Sequence, residues 1–504
     1  MRINIATWIE RNATLYRKKL AIQDERHAWS YTTLSHRMSQ LAALLKGQGV
    51  GQGDRVAVLL PNCAEMIEVL FACAQIGAIY VPLNWRLGED ELAYILRDCT
   101  PHSLIYAGRW TERARSLAAR IERAPVLTEV AEALEGSAYE AALRGEGESP
   151  LGEPVGGGDD DLMIIYTSGT TGNPKGVVLT HNNVFWQTIN GWSLGVSPDT
   201  VCLVLLPLFH VGGLNGSVTP MLHVGATVIL QQKFDAGAVL ASIEKDHVTG
   251  VVGVPTIFRL MADHPRFAET NFGSCQVLLS GGAPLPESLI QLYHARGLEF
   301  RQGYGLTEAA PGVTGMGPGE CLRKAGSAGR QILYTEVKVV DDDGNALPTG
   351  ESGEIVVRGP NVMKGYWNLP EETAKTIRKG WLHTGDIGRF DEEGFLTIVD
   401  RKKDMIISGG ENIYPAEIEK LLAGHPDVAM AAVVGQSEER WGEVPVAVIV
   451  PRTEGLTSEA LHAFLDVRLA RYKMPKHYHF VQELPLNASG KVIKAEVKKR
   501  LGIY

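Results

Sequence analysis

The sequence predicts an α/β protein. A large N-terminal domain of parallel-sheet α/β subdomains leads into a β-barrel-like subdomain, and a small α+β C-terminal domain follows. Three observations carry this. Apolar runs of strand length alternate with helix-length segments over the first three hundred residues. From Glu336 onward, strands are instead separated by tight Asp-Gly and Glu-Gly turns. The charged run Asp400-Arg-Lys-Lys-Asp404 then opens a compact module, which places the expected boundary between residues 1–400 and 401–504. A chain of 504 residues is too long for one core, so at least two domains are required.

Taken in order, Asp54–Pro61 reads as a buried strand, Ala64–Gln75 as a helix and Ala78–Pro82 as the next strand. Gly145–Asp161 is rich in Gly, Pro and acidic residues and reads as a surface loop. The rhythm resumes with strands at Leu162–Tyr166, Val201–Leu206, Ala226–Leu230, Gly250–Val254 and Val277–Ser280. Val337–Val340, Gly353–Arg358 and Phe395–Val399 form the antiparallel or barrel-like part. No internal repeat interrupts this order.

The composition is 45% hydrophobic and 21% charged, ordinary for a soluble globular protein. The net charge of −9 argues against a nucleic-acid partner. The six cysteines form no CxxC pair and read as buried structural thiols. Glu10 and Arg11 break any signal-peptide core, and the longest apolar stretch, Met66–Leu83, contains Glu68 and Gln75. A cytoplasmic protein without a transmembrane segment is expected.

The strand ending at Tyr166 runs into Thr167-Ser168-Gly169-Thr170-Thr171-Gly172-Asn-Pro-Lys175. Glycines let backbone N–H groups turn toward phosphate oxygens, hydroxyls add donors, and Lys175 adds a cation. Pro174 precedes the lysine and Gly176 follows it, so this is not a Walker A loop. Four hydroxyls, two glycines and a lysine after an apolar strand favour phosphate binding over a plain surface loop.

This segment resembles the phosphate-binding signature of the superfamily of acyl-CoA synthetases, adenylation domains and firefly luciferase. The likeness runs over almost the whole chain. It is nearest to bacterial fatty-acyl-CoA synthetases of the FadD type, through Leu322–Arg330 and Asp404–Pro415. In Gln302-Gly303-Tyr304-Gly305-Leu306-Thr307-Glu308, an aromatic ring can stack on a base and a carboxylate can hold a hard cation. The bland alternative there is a turn with one buried Glu. The resemblance implies that Tyr304 packs on adenine, that Thr307 meets the α-phosphate, and that Glu308, with Thr167, binds Mg²⁺. It makes Gln302, Gly303, Gly305, Gly282 and Ala283 nucleotide neighbours, with Gly281 shared with the acyl pocket. It places Asp386 and Arg401 on the ribose, although Arg401 alone fits a solvated charge equally well. His210, a satisfied core histidine on its own merits, becomes by resemblance a gate between acyl pocket and thiol tunnel, beside Val211, Gly213, Gly305 and Leu306.

For the C-terminal module the resemblance implies that Gly409 and Gly410 face the pantetheine arm of coenzyme A, with Trp441 beside them; buried core is the other reading of Trp441. Lys491 takes the place of the adenylation lysine, whereas Lys494, Lys498, Lys499 and Arg500 read as a solvated helix face. The implied reaction has two steps. ATP with Mg²⁺ and a carboxylic acid give acyl-AMP and pyrophosphate; CoA then gives acyl-CoA and AMP. A mobile C-terminal domain turning about Lys403 would serve both steps. The residues Val211–Leu214, Gly281–Ala283 and Gly305–Val313 are mostly small or apolar and carry no cation, which disfavours dicarboxylates unless Arg259 or Arg301 points inward. A medium- or long-chain fatty acid is the first expectation for the acid and an aryl acid of benzoate or hydroxycinnamate type the second. Loading of a carrier protein is a further alternative, and a non-catalytic nucleotide-binding module another. Monomer and homodimer are both open.

Overall fold

A computed structural model describes residues 2–132, 137–146, 152–167, 173–192, 195–408, 411–438, 441–487 and 490–503. By packing, the chain divides into two units, residues 1–337 with 357–382, and residues 338–356 with 383–504. This division falls earlier than Asp400, because most of the antiparallel sheet groups with the C-terminal segment.

The first unit contains two large sheets. One runs Gly365–Tyr366, Lys175–Thr180, Asp161–Thr167, Ile79–Pro82, Arg55–Leu59, Ser103–Ala107, Val126–Val130. Its centre is parallel, as the β-α-β rhythm predicts, while Asp161–Thr167 and Lys175–Thr180 pair antiparallel. The other sheet has nine strands, with Glu299–Gly305, Val277–Gly281, Gly250–Gly253, Val201–Val204 and Thr227–Leu230 adjacent and parallel in its middle. Its far edge is the hairpin Leu20–Gln23 and Ala28–Ser30, supplied by the N-terminus. The strand Glu299–Gly305 carries the Gln302–Gly305 segment in its second half, held by a strand on either side.

Helix Ala64–Ile76 is buried along its whole length, as an apolar helix between layers must be. It also carries two fully buried carboxylates. Glu65 accepts from Arg26 at 2.6 Å and His27 at 2.9 Å. Burial works to raise its pKa, but His27 and Arg26 more than offset this and hold it at about 2. Glu68 accepts from Arg37 at 3.2 Å and Tyr139 at 3.0 Å, and burial lifts it to about 7 against the pull of Arg37.

In the second unit, strands Val428–Glu438 and Gly442–Pro451 pair antiparallel, with His477–Phe480 added in parallel. Both faces are covered. Ile418 and Leu422 of helix Pro415–Ala423 and Leu461 and Leu465 of helix Ser458–Asp466 fill one side. Val497 of helix Lys494–Leu501 fills the other, beside Val434 and Val446. Burying Val497 contributes on the order of 2 kcal/mol to seating that last helix. The barrel-like region is a five-stranded sheet in which Trp381–Phe390 pairs with Leu396–Arg401. All six cysteines are buried and free. Among the described residues, no helix is long and apolar enough to cross a membrane.

Candidate active site

Ser168, Gly169, Thr170, Thr171 and Gly172 lie outside the described residues. Their flanks do not: Thr167 ends one strand, Lys175 opens the next, and the two are directly opposed. Lys175 Nζ lies 2.6 Å from Glu372 Oε2 and 5.3 Å from the centre of the Tyr366 ring. Hydrogen bonds from Lys175 and Lys375 hold the Glu372 carboxyl at about 2. Tyr366 in turn donates its hydroxyl to Glu308 Oε1 at 2.8 Å. Burial and the Glu308 carboxylate push the Tyr366 hydroxyl well above its ordinary range. The strand Gly365–Tyr366 pairs with Val177 and Val178 just beyond Lys175, which is what brings Lys175 and Glu308 to one ring. Neither Tyr366 nor Glu372 sits in a recognisable motif, so no local pattern marks them.

Gln302 to Gly305 form the end of a strand, Leu306 follows, and Thr307 and Glu308 lie in a short 3-10 turn, Thr307–Ala309. Tyr304 is half-buried and opposes Thr314. Gly281 and Gly303 are register partners on adjacent strands, and Gly282 and Ala283 follow at the strand end. A single half-buried carboxylate suits Mg²⁺, which keeps waters and takes substrate phosphates alongside one or two carboxylates. Glu308 therefore fits that ion, with the Thr167 hydroxyl as second candidate.

His210 is half-buried at the N-terminal end of the short helix Val211–Gly213, its ring 4.7 Å from that of Phe209. A π-turn, Leu214–Val218, follows; such turns recur at functional sites. A side chain at Gly213 would run into the Pro207 carbonyl, and one at Gly305 into the Pro311 carbonyl. Both glycines are thus required by close backbone approach. Arg259 is exposed and paired with Asp263 at 2.9 Å. Arg301 is buried.

In the second unit, Asp386 and Arg401 are register partners on neighbouring strands, and their side chains meet at 3.3 Å. Arg401 is therefore an ion-paired residue and not a merely solvated charge. Lys491 closes a turn in which its N–H donates to Asn487 Oδ1 at 2.9 Å. Its side chain keeps exposed surface, yet desolvation by crowding lowers its pKa; Arg401 adds to this and Asp386 opposes it. Asp386 and Arg401 thus meet directly, and the charges of both act on Lys491. Lys403 is exposed and is shifted down by desolvation. Trp441 is 45% exposed, which excludes the buried-core reading. Gly409 and Gly410 lie outside the described residues. The expectation of a solvated face fails at Lys494, which pairs with Glu419 at 2.9 Å and is 20% exposed.

Comparison with known proteins identifies the family. Residues 9–367 match the AMP-binding enzyme family and residues 417–491 the AMP-binding enzyme C-terminal domain. The chain belongs to the AMP-binding enzymes. Within them it is an adenylate-forming acyl-CoA synthetase, an acid–thiol ligase. It is 44% identical over 501 residues to a feruloyl-CoA synthase of Amycolatopsis sp., covering 99% of both chains. It is 43% identical over 500 residues to an indoleacetate–CoA ligase of Aromatoleum aromaticum, covering 99% of this chain and 98% of the other. A long-chain-fatty-acid–CoA ligase, FadD13 of Mycobacterium tuberculosis, is 39% identical over 473 residues, covering 94% and 93%. Among solved structures, O-succinylbenzoate coenzyme A synthetase of Bacillus subtilis in complex with ATP and magnesium ion matches with a TM-score of 0.86 at 32% identity, covering 97% and 99%.

Proposed function

We propose that the chain is an aryl-acid CoA ligase, which joins an aryl or arylalkyl carboxylic acid to coenzyme A through an acyl-adenylate. The observation that carries this is the ordering of the relatives. Those named for feruloyl and indoleacetyl groups share 44% and 43% identity over 99% of the chain, against 39% for the one named for long-chain fatty acids. The fatty acid that ranked first from sequence motifs therefore gives way to the aryl alternative. The small and apolar residues Val211, Gly213, Gly281, Gly305 and Leu306 fit a flat ring, and Arg259 is turned away to solvent.

In this reading, the glycine-rich segment Thr167–Gly172 and Lys175 hold the triphosphate, and Tyr304 packs on adenine beside Gly282, Ala283, Gln302 and Gly303. Thr307 donates to the α-phosphate, and Asp386 and Arg401 hold the ribose. Mg²⁺ held by Glu308 and Thr167 would neutralise phosphate charge. Lys491 bridges the acid carboxylate and the α-phosphate, where charge builds as the acid oxygen attacks phosphorus and pyrophosphate leaves. The CoA thiol then attacks the acyl carbonyl and AMP departs, with His210, Gly409, Gly410 and Trp441 along the thiol path. The two steps use different faces of the segment after Lys403, which is the proposed hinge.

The test is pyrophosphate release across a panel containing ferulate, benzoate, indoleacetate, laurate, palmitate and succinate, each with and without CoA. Highest release with the aromatic acids, and CoA-dependent thioester product, is expected. Palmitate above every aromatic acid would overturn the substrate assignment. Succinate in first place would put the buried Arg301 in the pocket. Thioester formation only on an added carrier protein would replace CoA as the acceptor.

A further inference from the structure

Three polar groups lie on both sides of the hinge proposed at Lys403. Asp400 belongs to the strand Leu396–Arg401, three residues before the hinge, and is 7% exposed. Its Oδ1 accepts from the Arg401 N–H at 2.7 Å. Its Oδ2 accepts from the Ala416 N–H, also at 2.7 Å. Ala416 is the second residue of helix Pro415–Ala423, whose own N-cap residue Tyr414 supplies no side-chain bond. The first N–H groups of a helix need an acceptor. Here it comes from upstream of the hinge.

The same helix carries Glu419, which pairs with Lys494 at 2.9 Å and accepts the Val433 N–H at 2.7 Å. The charge of Lys494 also acts on Asp400. Lys494 lies three residues after Lys491, directly beyond the turn that Asn487 closes. The path from Asp400 through Ala416, Glu419 and Lys494 therefore ends on the adenylation lysine. Lys491 in turn has Asp386 and Arg401 as its charged surroundings.

We propose that Asp400, together with the Lys494–Glu419 pair, positions Lys491 for acyl-adenylate formation by fastening the strand before the hinge to the helix after it. This rests on the two-step reading above. Rotation about Lys403 would carry Ala416, Glu419, Lys494 and Lys491 away from Asp400 together. It would break the Asp400–Ala416 bond and part the carboxylate from Lys494. The fastening thus favours one of the two arrangements, and a group that stabilises one state only shifts the population toward it. Asp400 touches no substrate in this scheme and is a positioning residue.

The two half-reactions are measured separately in the full chain, with ferulate-dependent ATP–pyrophosphate exchange for the first and supplied feruloyl-AMP plus CoA for the second. Asp400→Ala is expected to slow the exchange by about tenfold, the factor that loss of a hydrogen bond to a charged group implies. Thioester formation from supplied feruloyl-AMP stays within about twofold of the parent or rises. Asp400→Asn, which keeps an acceptor but not the charge, recovers part of the exchange. Lys494→Met acts in the same direction as Asp400→Ala with a smaller effect. Equal loss in both half-reactions would reduce Asp400 to a structural role and overturn the proposal. Amide hydrogen exchange gives a reading independent of substrate. Asp400→Ala should speed exchange at Ala416 and the first turn of Pro415–Ala423, and unchanged protection there overturns the proposal even if ferulate proves the wrong acid. Parent protein without ferulate-dependent exchange but with the faster amide exchange in Asp400→Ala would defeat the substrate assignment and retain the fastening.

Discussion

In the proposed function Lys175 and Lys491 both act on one anionic substrate, but the fold treats them differently. Lys175 sits against Glu372 at 2.6 Å, with the Tyr366 ring on its other side. Its charge is matched by a carboxylate of its own unit. Lys491 has one neighbouring charge of each sign, Asp386 and Arg401, and desolvation weakens its hold on its proton. A lysine whose partner is already present binds phosphate by exchanging one anion for another, so it contributes more to orientation than to net attraction. A lysine with balanced surroundings meets the full charge that develops in the transition state. The first should therefore serve mainly to orient the bound triphosphate, and the rate should depend chiefly on the second.

The sharpest way to break this contrast is Lys491→Ala. It is expected to lower acid-dependent pyrophosphate release by about a hundredfold to a thousandfold, the range for removing one donor from a developing anion. Thioester formation from supplied acyl-AMP should persist. Equal loss of both half-reactions would remove the distinction between the two lysines.

Buried carboxylates outside either lysine site supply a control on how burial alone moves charge. Glu68 has a folded pKa of about 7, above the ordinary 4.5. Its contribution to stability is fully present below pH 4.5 and is lost as pH rises through 7. Glu65 is the opposite case, with stability present above the ordinary value and lost as pH falls toward 2. Glu68→Gln should flatten the decline in denaturation midpoint between pH 4.5 and 7, a difference on the order of 1 to 3 kcal/mol by pH 8. An unaltered slope in urea titrations would assign that window to other groups.

Tyr366→Phe removes the hydroxyl on Glu308 and should lower kcat/KM for ATP by about three- to tenfold, with a shifted Mg²⁺ requirement. The smallest effect expected is that of Glu372→Gln. Freed from its exposed carboxylate, Lys175 should bind ATP about two- to fivefold more tightly, with kcat unchanged. A higher KM in that variant would mean that Glu372 orients Lys175 and does not compete for it.

The sequence was readable where one residue type does one local job. Apolar runs such as Val277–Ser280 announce strands because a parallel sheet buries both faces, and these are found within a residue or two. Glu308, Asp386 and Lys491 sit in recognisable patterns. Tyr366 and Glu372 do not, since their roles arise from strand pairing between segments almost two hundred residues apart. Lys494 looked like one more cation of a basic helix. Its partner Glu419 lies on a different helix, and only the packing of both on one sheet brings them together. The choice between a fatty acid and an aryl acid is illegible in the sequence for a related reason: small, apolar residues admit an alkyl chain and an aromatic ring alike.

The hairpin that the N-terminus lends to the second sheet bears on synthesis. The Thr227 hydroxyl donates to the Leu20 carbonyl across 207 residues of sequence. At a ribosomal rate of about 5 to 20 residues per second, the first-made strand waits roughly 10 to 40 s for its partner. Until then Leu20–Gln23 is a bare apolar edge, and in a chain trimmed at its start Thr227–Leu230 would be one permanently. Extending the N-terminus should be tolerated; removing thirty residues from it should be felt as aggregation, far along the chain from the cut.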